Sequence, residues 1–78
     1  MVKIPIFLKD LEDVKHLVQA TAVCQWDVDL ICGRYIVDAK SMLGIFSLPH
    51  FGNLEIGVDE SDEALLREKL EELNMIVK

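Results

Sequence analysis

Three carboxylates lie close together near the N-terminus, in the stretch LKDLEDVK, and such a group could perform phosphoryl chemistry. They are Asp10, Glu12 and Asp13. An aspartate that accepts a phosphoryl group needs metal-binding carboxylates and a lysine in a folded pocket, and this stretch does not indicate one. Capping explains the group better, because aspartate favours the N-cap of a helix and acidic residues favour its first turn. The sequence therefore predicts a structural role here and no catalytic residue.

Two histidines and two cysteines are the other residues that could carry chemistry. The periodicity places His16 inside a helix on its polar side, where no free backbone N–H groups converge to hold a phosphate. His50 follows a second helix in the loop segment LPHFGN, with no lysine or arginine nearby in sequence. Cys24 and Cys32 form no CxxC motif and no His–Cys ligand set. We therefore expect surface histidines, reduced and partly buried thiols, no metal site and no cofactor.

Size and charge limit the possible partners. The chain has 78 residues, of which 51% are hydrophobic, and a net charge of −6 from 14 acidic and 8 basic residues. This length predicts one domain, residues 1–78, with a single core. The negative charge disfavours nucleic acid and anionic membranes, since both attract lysine and arginine. No apolar run approaches the length of a membrane span and no secretory signal opens the chain, so we expect a cytoplasmic protein.

Hydrophobic periodicity predicts seven elements in the order β-α-β-β-α-β-α. Alternation in residues 2–8 predicts a strand, which Pro5 restricts to a sheet edge because proline cannot donate to a ladder. A helix capped by Asp10 follows, then a hairpin of residues 26–39 around Gly33, in which Trp26 and Val28 belong to the first strand. The remaining elements are a short helix that ends before Pro49, a strand of residues 54–58, and a helix from position 61 followed by MIVK, which either frays or turns back. This order favours an α+β fold in two layers, a four-stranded antiparallel sheet with helices on one face.

The first helix is expected to present one apolar side to this sheet. That side comprises Leu11, Val14, Leu17, Val18, Thr21, Ala22 and Gln25.

The short helix, in DAKSMLGIFSLP, is apolar on two sides. At 100° per residue its apolar residues fall into two stripes. These are Gly44, Ile45 and Leu48 on one side, and Met42, Leu43 and Phe46 on the other. The first stripe is expected to pack on the sheet. The second stripe either binds a partner protein or is covered by the third helix or a loop.

Ser41 precedes this helix and has two interpretations. As an N-cap, its hydroxyl accepts a backbone N–H and contributes about 1 kcal/mol, which is a sufficient reason for a serine there. A phosphate at this position would also meet the positive end of the helix dipole. The sequence therefore leaves Ser41 as a cap and, in addition, a candidate for phosphorylation.

The segment RYIVDAKSMLGIFSL, Arg34 to Leu48, closely resembles the hairpin strand and second helix of the HPr family. These are the histidine-containing phosphocarriers of the bacterial phosphoenolpyruvate:sugar phosphotransferase system. Their segment has a Lys-Ser pair, two apolar residues, a glycine and an apolar-apolar-Ser-Leu ending, as AKSMLGIFSL has. The resemblance continues without a gap through LVQATAVCQWDVDL, Leu17 to Leu30. It implies an open-faced β-sandwich with strand order 1-4-2-3.

The resemblance fails at the residues that perform the family's chemistry. In a phosphocarrier, a histidine at the start of the first helix takes a phosphoryl group and passes it on, with an arginine nearby in a Gly-x-His-x-Arg-Pro motif. The ungapped alignment places Asp10 at the histidine position, Glu12 at the arginine position and Asp13 at the proline position. Three carboxylates repel a phosphoryl group from the free N–H groups and dipole that would attract it. We therefore expect no enzyme activity.

The resemblance implies a bacterial regulatory or adaptor protein, similar to the catabolite-repression HPr-like paralogue. That paralogue lacks the active histidine and acts as a corepressor for a transcription regulator when its regulatory serine is phosphorylated. By resemblance, Ser41 is the kinase target, and an HPr kinase or a transcription regulator is the implied partner. Met42, Leu43 and Phe46 form the implied contact patch.

Two alternatives remain open at this point. The chain could be an active phosphocarrier that uses a displaced histidine, His16 or His50. It could also be a structural module that forms homo-oligomers through its surplus apolar stripe.

Overall fold

The protein, described here by a computed structural model covering residues 1–77, has the predicted order of elements. They are β1 (Val2–Ile6), α1 (Leu11–Thr21), β2 (Asp29–Cys32), β3 (Tyr35–Asp38), α2 (Met42–Phe46), β4 (Leu54–Val58) and α3 (Glu60–Glu72). The strands form one antiparallel sheet in the order β1-β4-β2-β3. The predicted α+β fold and its strand order are both confirmed.

β1 lies at one edge of the sheet, as Pro5 requires. Its side chains alternate, with Ile4 and Ile6 buried and Pro5 exposed. The segment after α3 turns back along the outer side of this strand, where the Phe7 N–H donates to the Met75 carbonyl at 2.9 Å. Ile76 forms a bridge with Ile6. Of the two outcomes expected for MIVK, its first three residues turn back, and Lys78 lies outside the described residues.

The hairpin of β2 and β3 is shorter than the alternation predicted. Gly33 begins its two-residue turn with a φ of +59°, a conformation that glycine adopts without strain. β2 begins only at Asp29, so the expectation that Trp26 and Val28 belong to this strand is wrong. The physical reason is tertiary: the Trp26 N–H donates to a carboxylate oxygen of Asp62 on α3 at 3.0 Å. That bond holds the segment between α1 and β2 in a loop conformation.

α1 buries a narrower face than the sequence predicts. Val14 and Leu17 are fully buried, whereas Leu11 in the first turn is exposed. The helix ends at Thr21, so Ala22 and Gln25 are exposed and do not extend its inner face. Ala20 is buried instead.

The core lies between the sheet and the helices. Residues from every strand except β3 are fully or almost fully buried in one cluster with residues of all three helices. Every buried side-chain nitrogen or oxygen atom in residues 1–77 has a hydrogen-bond partner. Among the helices described, none is long and apolar enough to cross a membrane.

Candidate functional site

At the start of α1, carboxylate side chains accept hydrogen bonds from backbone N–H groups. The Asp10 side chain accepts the Asp13 N–H at 3.0 Å, so Asp10 is the N-cap that the sequence predicts. The Asp13 carboxylate reaches back and accepts the Lys9 N–H at 2.8 Å, and this side chain is buried. This reciprocal arrangement satisfies two backbone donors, in the manner of a capping box. Both carboxylates lie where an anion would otherwise bind.

Glu12 projects from the same turn into solvent. Its nearest cation is Lys15, with 3.4 Å between carboxylate oxygen and ammonium nitrogen, and both side chains are largely exposed. An exposed pair of this kind holds its residues only weakly. The start of α1 therefore presents negative charge, from Asp10 and Glu12, beside the exposed apolar side chain of Leu11.

His16 lies on the exposed side of α1, as the periodicity predicts. It lines a shallow groove of about 210 Å³ between α1 and α3. The groove also contains Lys69 and Glu72, which present opposite charges, over an apolar floor that includes Ala20 and Leu73. No helix start opens into this groove at His16, since His16 is the sixth residue of α1. The arrangement gives His16 none of the converging N–H donors that a phosphohistidine needs.

His50 is exposed in the loop between α2 and β4. Its Nδ1 atom accepts the Gly52 N–H at 3.1 Å, which leaves Nε2 to carry the proton of the neutral ring. The Cys32 sulfur lies 3.7 Å from Nδ1 and 3.9 Å from Nε2. The same sulfur lies 3.6 Å from the His50 carbonyl oxygen and 3.7 Å from the Gly52 carbonyl oxygen. These contacts hold the loop after α2 against the end of β2.

α2 forms where the sequence places it, and both its ends are capped locally. The Ser41 hydroxyl oxygen accepts the Gly44 N–H at 3.1 Å, as an N-cap serine does. At the other end, the Ser47 hydroxyl donates to the Gly44 carbonyl at 2.6 Å. The first turn contains no acidic residue. The start of α2 therefore has the same capping bond as the start of α1, from the N-cap side chain to the N–H three residues later, without acidic residues in its first turn.

The apolar residues of α2 divide as the two stripes predict, with one difference. Ile45 and Leu48 are buried in the core. Leu43 is 85% exposed and Phe46 is 44% exposed. Met42 packs against the core and is half-buried, so the surplus stripe is narrower than its spacing suggests. Neither α3 nor a loop covers Leu43, and Leu43 and Phe46 face solvent.

Residues distant in sequence hold the segment that leads into α2. The buried Thr21 hydroxyl, at the end of α1, lies 3.1 Å from the carbonyl of Ala39 and 3.0 Å from the carbonyl of Val18 in its own helix, and its one proton is shared between them. The Ala39 N–H donates to the Val28 carbonyl at 2.9 Å. The Lys40 ammonium group donates to the Cys24 carbonyl at 3.1 Å. Together these three bonds fix the position from which α2 starts.

Sequence reasoning missed these anchors. Thr21 was assigned to the inner face of α1, but no local pattern indicates that its hydroxyl would bind the chain 18 residues later. Lys40 appeared only as half of a Lys-Ser pair. Asp62, which is buried and accepts the N–H groups of Gln25 and Trp26, resembles any acidic residue in the first turn of a helix. Only the burial of the Asp62 side chain distinguishes it from such residues, and burial cannot be read from the sequence.

The two thiols are free, and both are buried. Burial raises the pKa of the Cys24 thiol, and the negative charge of Asp62 raises it further. Cys24 therefore stays protonated, and a protonated thiol is a poor nucleophile and metal ligand.

The structure separates the two candidate regions. Thr21, at the C-terminal end of α1, contacts the segment just before Ser41. Asp10 caps the other end of α1, about 16 Å away along the axis at 1.5 Å per residue. Asp10 and Ser41 therefore lie toward opposite ends of α1, and any role of one does not require contact with the other.

Comparisons with known proteins support the fold. No protein-family model and no curated protein matches the chain. Among solved structures, the crystal structure of HPr-C-His from Thermoanaerobacter tengcongensis is similar, with a TM-score of 0.76 and 21% sequence identity. The match covers 94% of this chain and 90% of that one. At this identity the likeness establishes the fold and no residue's role: the chain has an HPr-like fold.

Proposed function

We propose that the chain is a regulatory or adaptor protein of the bacterial cytoplasm that binds a protein partner through α2 and transfers no phosphoryl group. The observation that carries this proposal is the exposure of Leu43, 85%, on a helix whose other side is anchored in the core. Because burying a leucine or phenylalanine side chain is worth about 1.5 to 3 kcal/mol, Leu43 and Phe46 together supply a useful contact.

The way α2 is held favours binding. The bonds from Thr21 and Lys40 fix its start, and Ile45 anchors its inner side. A surface that is ordered before binding does not lose further conformational entropy when a partner docks. The short helix therefore presents Leu43 in one defined position, which suits specific recognition.

The start of α1 supports the second half of the proposal. The N–H of Asp13, which a bound phosphoryl group would need, is already bonded to the Asp10 carboxylate. Glu12 adds a further negative charge in the same turn. By the resemblance, these residues occupy the positions of the phosphorylated histidine and its arginine. The proposal is therefore that the chain is not an enzyme and not a phosphocarrier.

Phosphorylation of Ser41 is the proposed form of regulation. Ser41 is only partly buried, and its oxygen acts as an acceptor in the cap. A phosphate would keep acceptor oxygens at the helix start and add about 1.5 to 2 negative charges beside the exposed part of α2. Such a charge recruits a partner that carries arginine and rejects one with an acidic rim.

Quantitative pull-down from native cytosol tests the binding surface. We expect Leu43→Asp and Phe46→Asp to reduce the capture of a specific partner at least about tenfold, since each places a charge inside an apolar contact. Leu65→Asp is the matched control, because Leu65 lies on α3 and is 44% exposed, as Phe46 is. Unchanged capture by the Leu43→Asp/Phe46→Asp double variant would contradict the proposal.

A second experiment addresses regulation. Incubation with a cognate HPr kinase and ATP, followed by mass spectrometry, is expected to add one phosphate that Ser41→Ala abolishes. Ser47→Ala is the control, since Ser47 is an exposed serine at the other end of the same helix. Absence of the phosphate would remove Ser41 regulation while leaving the adaptor role, which the pull-down tests separately.

A further inference from the structure

The loop between α1 and β2 carries the one tryptophan of the chain, and much of its ring is exposed to solvent. Trp26 is 58% exposed, more than any other aromatic side chain in residues 1–77. Tryptophan is among the residues most enriched at the energetic centres of protein interfaces, and its face binds cations better than that of tyrosine or phenylalanine. Trp26 is therefore a candidate contact residue outside the surface of α2.

Two other parts of the chain hold the backbone of this loop. The buried Asp62 carboxylate, on α3, accepts the Gln25 N–H at 3.2 Å and the Trp26 N–H at 3.0 Å. The Lys40 ammonium group, from the segment before α2, donates to the Cys24 carbonyl at 3.1 Å. The backbone at Trp26 is thus ordered without a partner, so docking there costs little further conformational entropy.

The loop lies beside the segment that leads into α2. The Ala39 N–H donates to the Val28 carbonyl at 2.9 Å. Trp26 precedes Val28 by two residues, and Leu43 follows Ala39 by four. Because one residue spans at most about 3.6 Å, the backbone at both positions lies within about 14 Å of this bond. A standard interface covers about 800 Å² of each partner, which is wide enough to span both positions.

The charges near Trp26 are mostly negative. Asp27 follows it and is exposed, and Asp29, at the start of β2, lies directly opposite Asp38 of β3. Within residues 1–77, none of these three carboxylates takes part in a salt bridge. Like charges opposite each other destabilise a sheet, so a cation beside them would be stabilising.

Lys40 is the cation that bonds this loop, and its charge is offset there. Its ammonium group binds the Cys24 carbonyl, while the Asp62 carboxylate binds the N–H groups of the two residues that follow. These two opposite charges therefore lie at adjacent points of the loop. The net charge around Trp26 is thus set by the three carboxylates without a salt bridge, which attract a basic partner and repel an acidic one.

We propose that the partner protein that binds α2 also contacts Trp26, and that it does so with a basic segment whose arginine side chain stacks on the indole ring. The inference rests on the proposed adaptor function and adds to it the chemistry of the partner. A guanidinium group fits this position because it is planar, stacks on aromatic faces and stays charged. The exposed Asp27 carboxylate, next in sequence, attracts the same cation. The partner then has an apolar contact at Leu43 and Phe46 and a cationic contact at Trp26.

Other occupants fit this surface less well. A second copy of the chain carries a net charge of −6, so its approach to the acidic surface around Trp26 is disfavoured. The same carboxylates repel nucleic acid and anionic membranes. An apolar segment would cover the indole ring but would bury Asp27 beside it without a counter-charge. A basic segment is the occupant that satisfies both the ring and the carboxylates.

Capture of one purified partner measures the contribution of Trp26. The partner used is a protein that the wild type retains from native cytosol and that the Leu43→Asp/Phe46→Asp double variant loses. Trp26→Ala is expected to reduce its capture at least about tenfold, whereas Trp26→Tyr keeps an aromatic face and retains most of it. Both variants keep the backbone N–H that binds Asp62, so they are expected to fold. Phe7→Ala is the control and is expected to retain capture, since Phe7 is 40% exposed and follows β1, at the sheet edge opposite β3.

Fluorine NMR tests the cation separately from the partner. Because Trp26 is the one tryptophan, labelling with 5-fluorotryptophan gives a single resonance from its ring. Hexa-arginine peptide is expected to shift this resonance saturably, and hexa-citrulline, which has nearly the same shape without the charge, is expected not to. Asp27→Asn is expected to weaken the binding of hexa-arginine about two- to fivefold, the range for an exposed ion pair. In fluorophenylalanine-labelled protein, the Phe7 resonance is the control and is expected not to move.

Each failure of these experiments has a distinct meaning. If the double variant retains every protein that the wild type captures, the adaptor function fails, and the extension of its surface to Trp26 fails with it. If the double variant loses a partner that Trp26→Ala captures at wild-type strength, the adaptor function stands and this inference is overturned. Equal shifts with hexa-citrulline, or an equal loss of capture in Phe7→Ala, would also overturn it. Dimerisation of the wild type that Trp26→Ala abolishes would overturn it as well, by identifying a second copy as the occupant.

Discussion

The starts of α1 and α2 share one capping hydrogen bond and differ in charge. In each, the side-chain oxygen of the N-cap residue accepts the N–H three residues later, Asp10 from Asp13 and Ser41 from Gly44. The first turn of α1 carries two acidic residues, and that of α2 carries none. An anion at the start of α1 would therefore meet two acidic side chains of the first turn, which the start of α2 lacks.

The two starts also differ in how they are positioned. At α1, every capping bond joins residues at most four apart in sequence. At α2, the cap is local, but the segment before it is fixed by Thr21, Val28 and Cys24. A helix of five residues is too short to be stable alone. Its position is therefore a property of the whole fold, and this makes the exposed side of α2 a defined surface.

The largest predicted effect is all-or-none and concerns the acidic start of α1. Incubation with phosphoenolpyruvate and the first enzyme of the phosphotransferase system is expected to leave the chain without an acid-labile phosphate. The carboxylates of Asp10 and Glu12 repel the group, and neither His16 nor His50 has the converging donors to replace it. Intact-protein mass spectrometry at neutral pH measures the result, with an active HPr as the positive control.

Detection of a phosphorylated product would contradict the expectation that the chain accepts no phosphoryl group. If labelling occurs and is lost in His16→Ala or His50→Ala, the chain is a phosphocarrier that uses a displaced histidine. If it is lost only in Asp10→Asn, the acidic start itself accepts the group.

A smaller effect is predicted for the remote anchoring of α2. Thr21→Val keeps the shape of the buried side chain but removes the hydroxyl that the Ala39 and Val18 carbonyls share, and is expected to cost about 1 to 2 kcal/mol of unfolding free energy. Urea unfolding measures this loss. Ser47→Ala is the control, and as an exposed change it is expected to cost less than about 0.5 kcal/mol.

Hydrogen exchange locates the same effect. In Thr21→Val, the amides of α2 are expected to exchange faster, whereas those at the start of α1 keep their protection because their bonds are local. Equal acceleration at both helix starts would mean that Thr21 stabilises the fold generally and does not position α2.

The contrast also explains how far the sequence could predict this structure. Asp10 and Ser41 were identified as caps because capping depends on neighbouring residues, and the strand order followed from the resemblance and from Pro5. Trp26 was placed in a strand because its alternation with Val28 is correct locally. The Asp62 carboxylate that overrides this pattern lies 36 residues away. Local physics thus predicted each element's type, while long-range bonds set where β2 begins.

In the candidate site, too, features set by neighbouring residues could be predicted and features set by long-range contacts could not. The spacing of α2 predicted that Ile45 and Leu48 would be buried, since it depends only on the helical period. The half-burial of Met42 depends on neighbouring core residues that periodicity does not contain. The anchoring roles of Thr21 and Lys40 were invisible for the same reason. The spacing predicted that Leu43 and Phe46 face outward, but it predicted neither the position of Met42 nor the bonds that hold α2 in place.

The smallest predicted effect comes from exchanging the two caps. Ser41→Asp is expected to change the free energy of unfolding by no more than about 0.5 kcal/mol, because aspartate caps as well as serine and α2 has no acidic first turn. Asp10→Ser is expected to be similarly small, whereas Ala at either position costs about 1 kcal/mol. Urea unfolding of the four variants measures these differences. A loss of 1 kcal/mol or more in Ser41→Asp would mean that the start of α2 does not tolerate an anion. In that case the fold itself would oppose phosphorylation of Ser41, and the charge contrast between the two helix starts would lose its functional meaning.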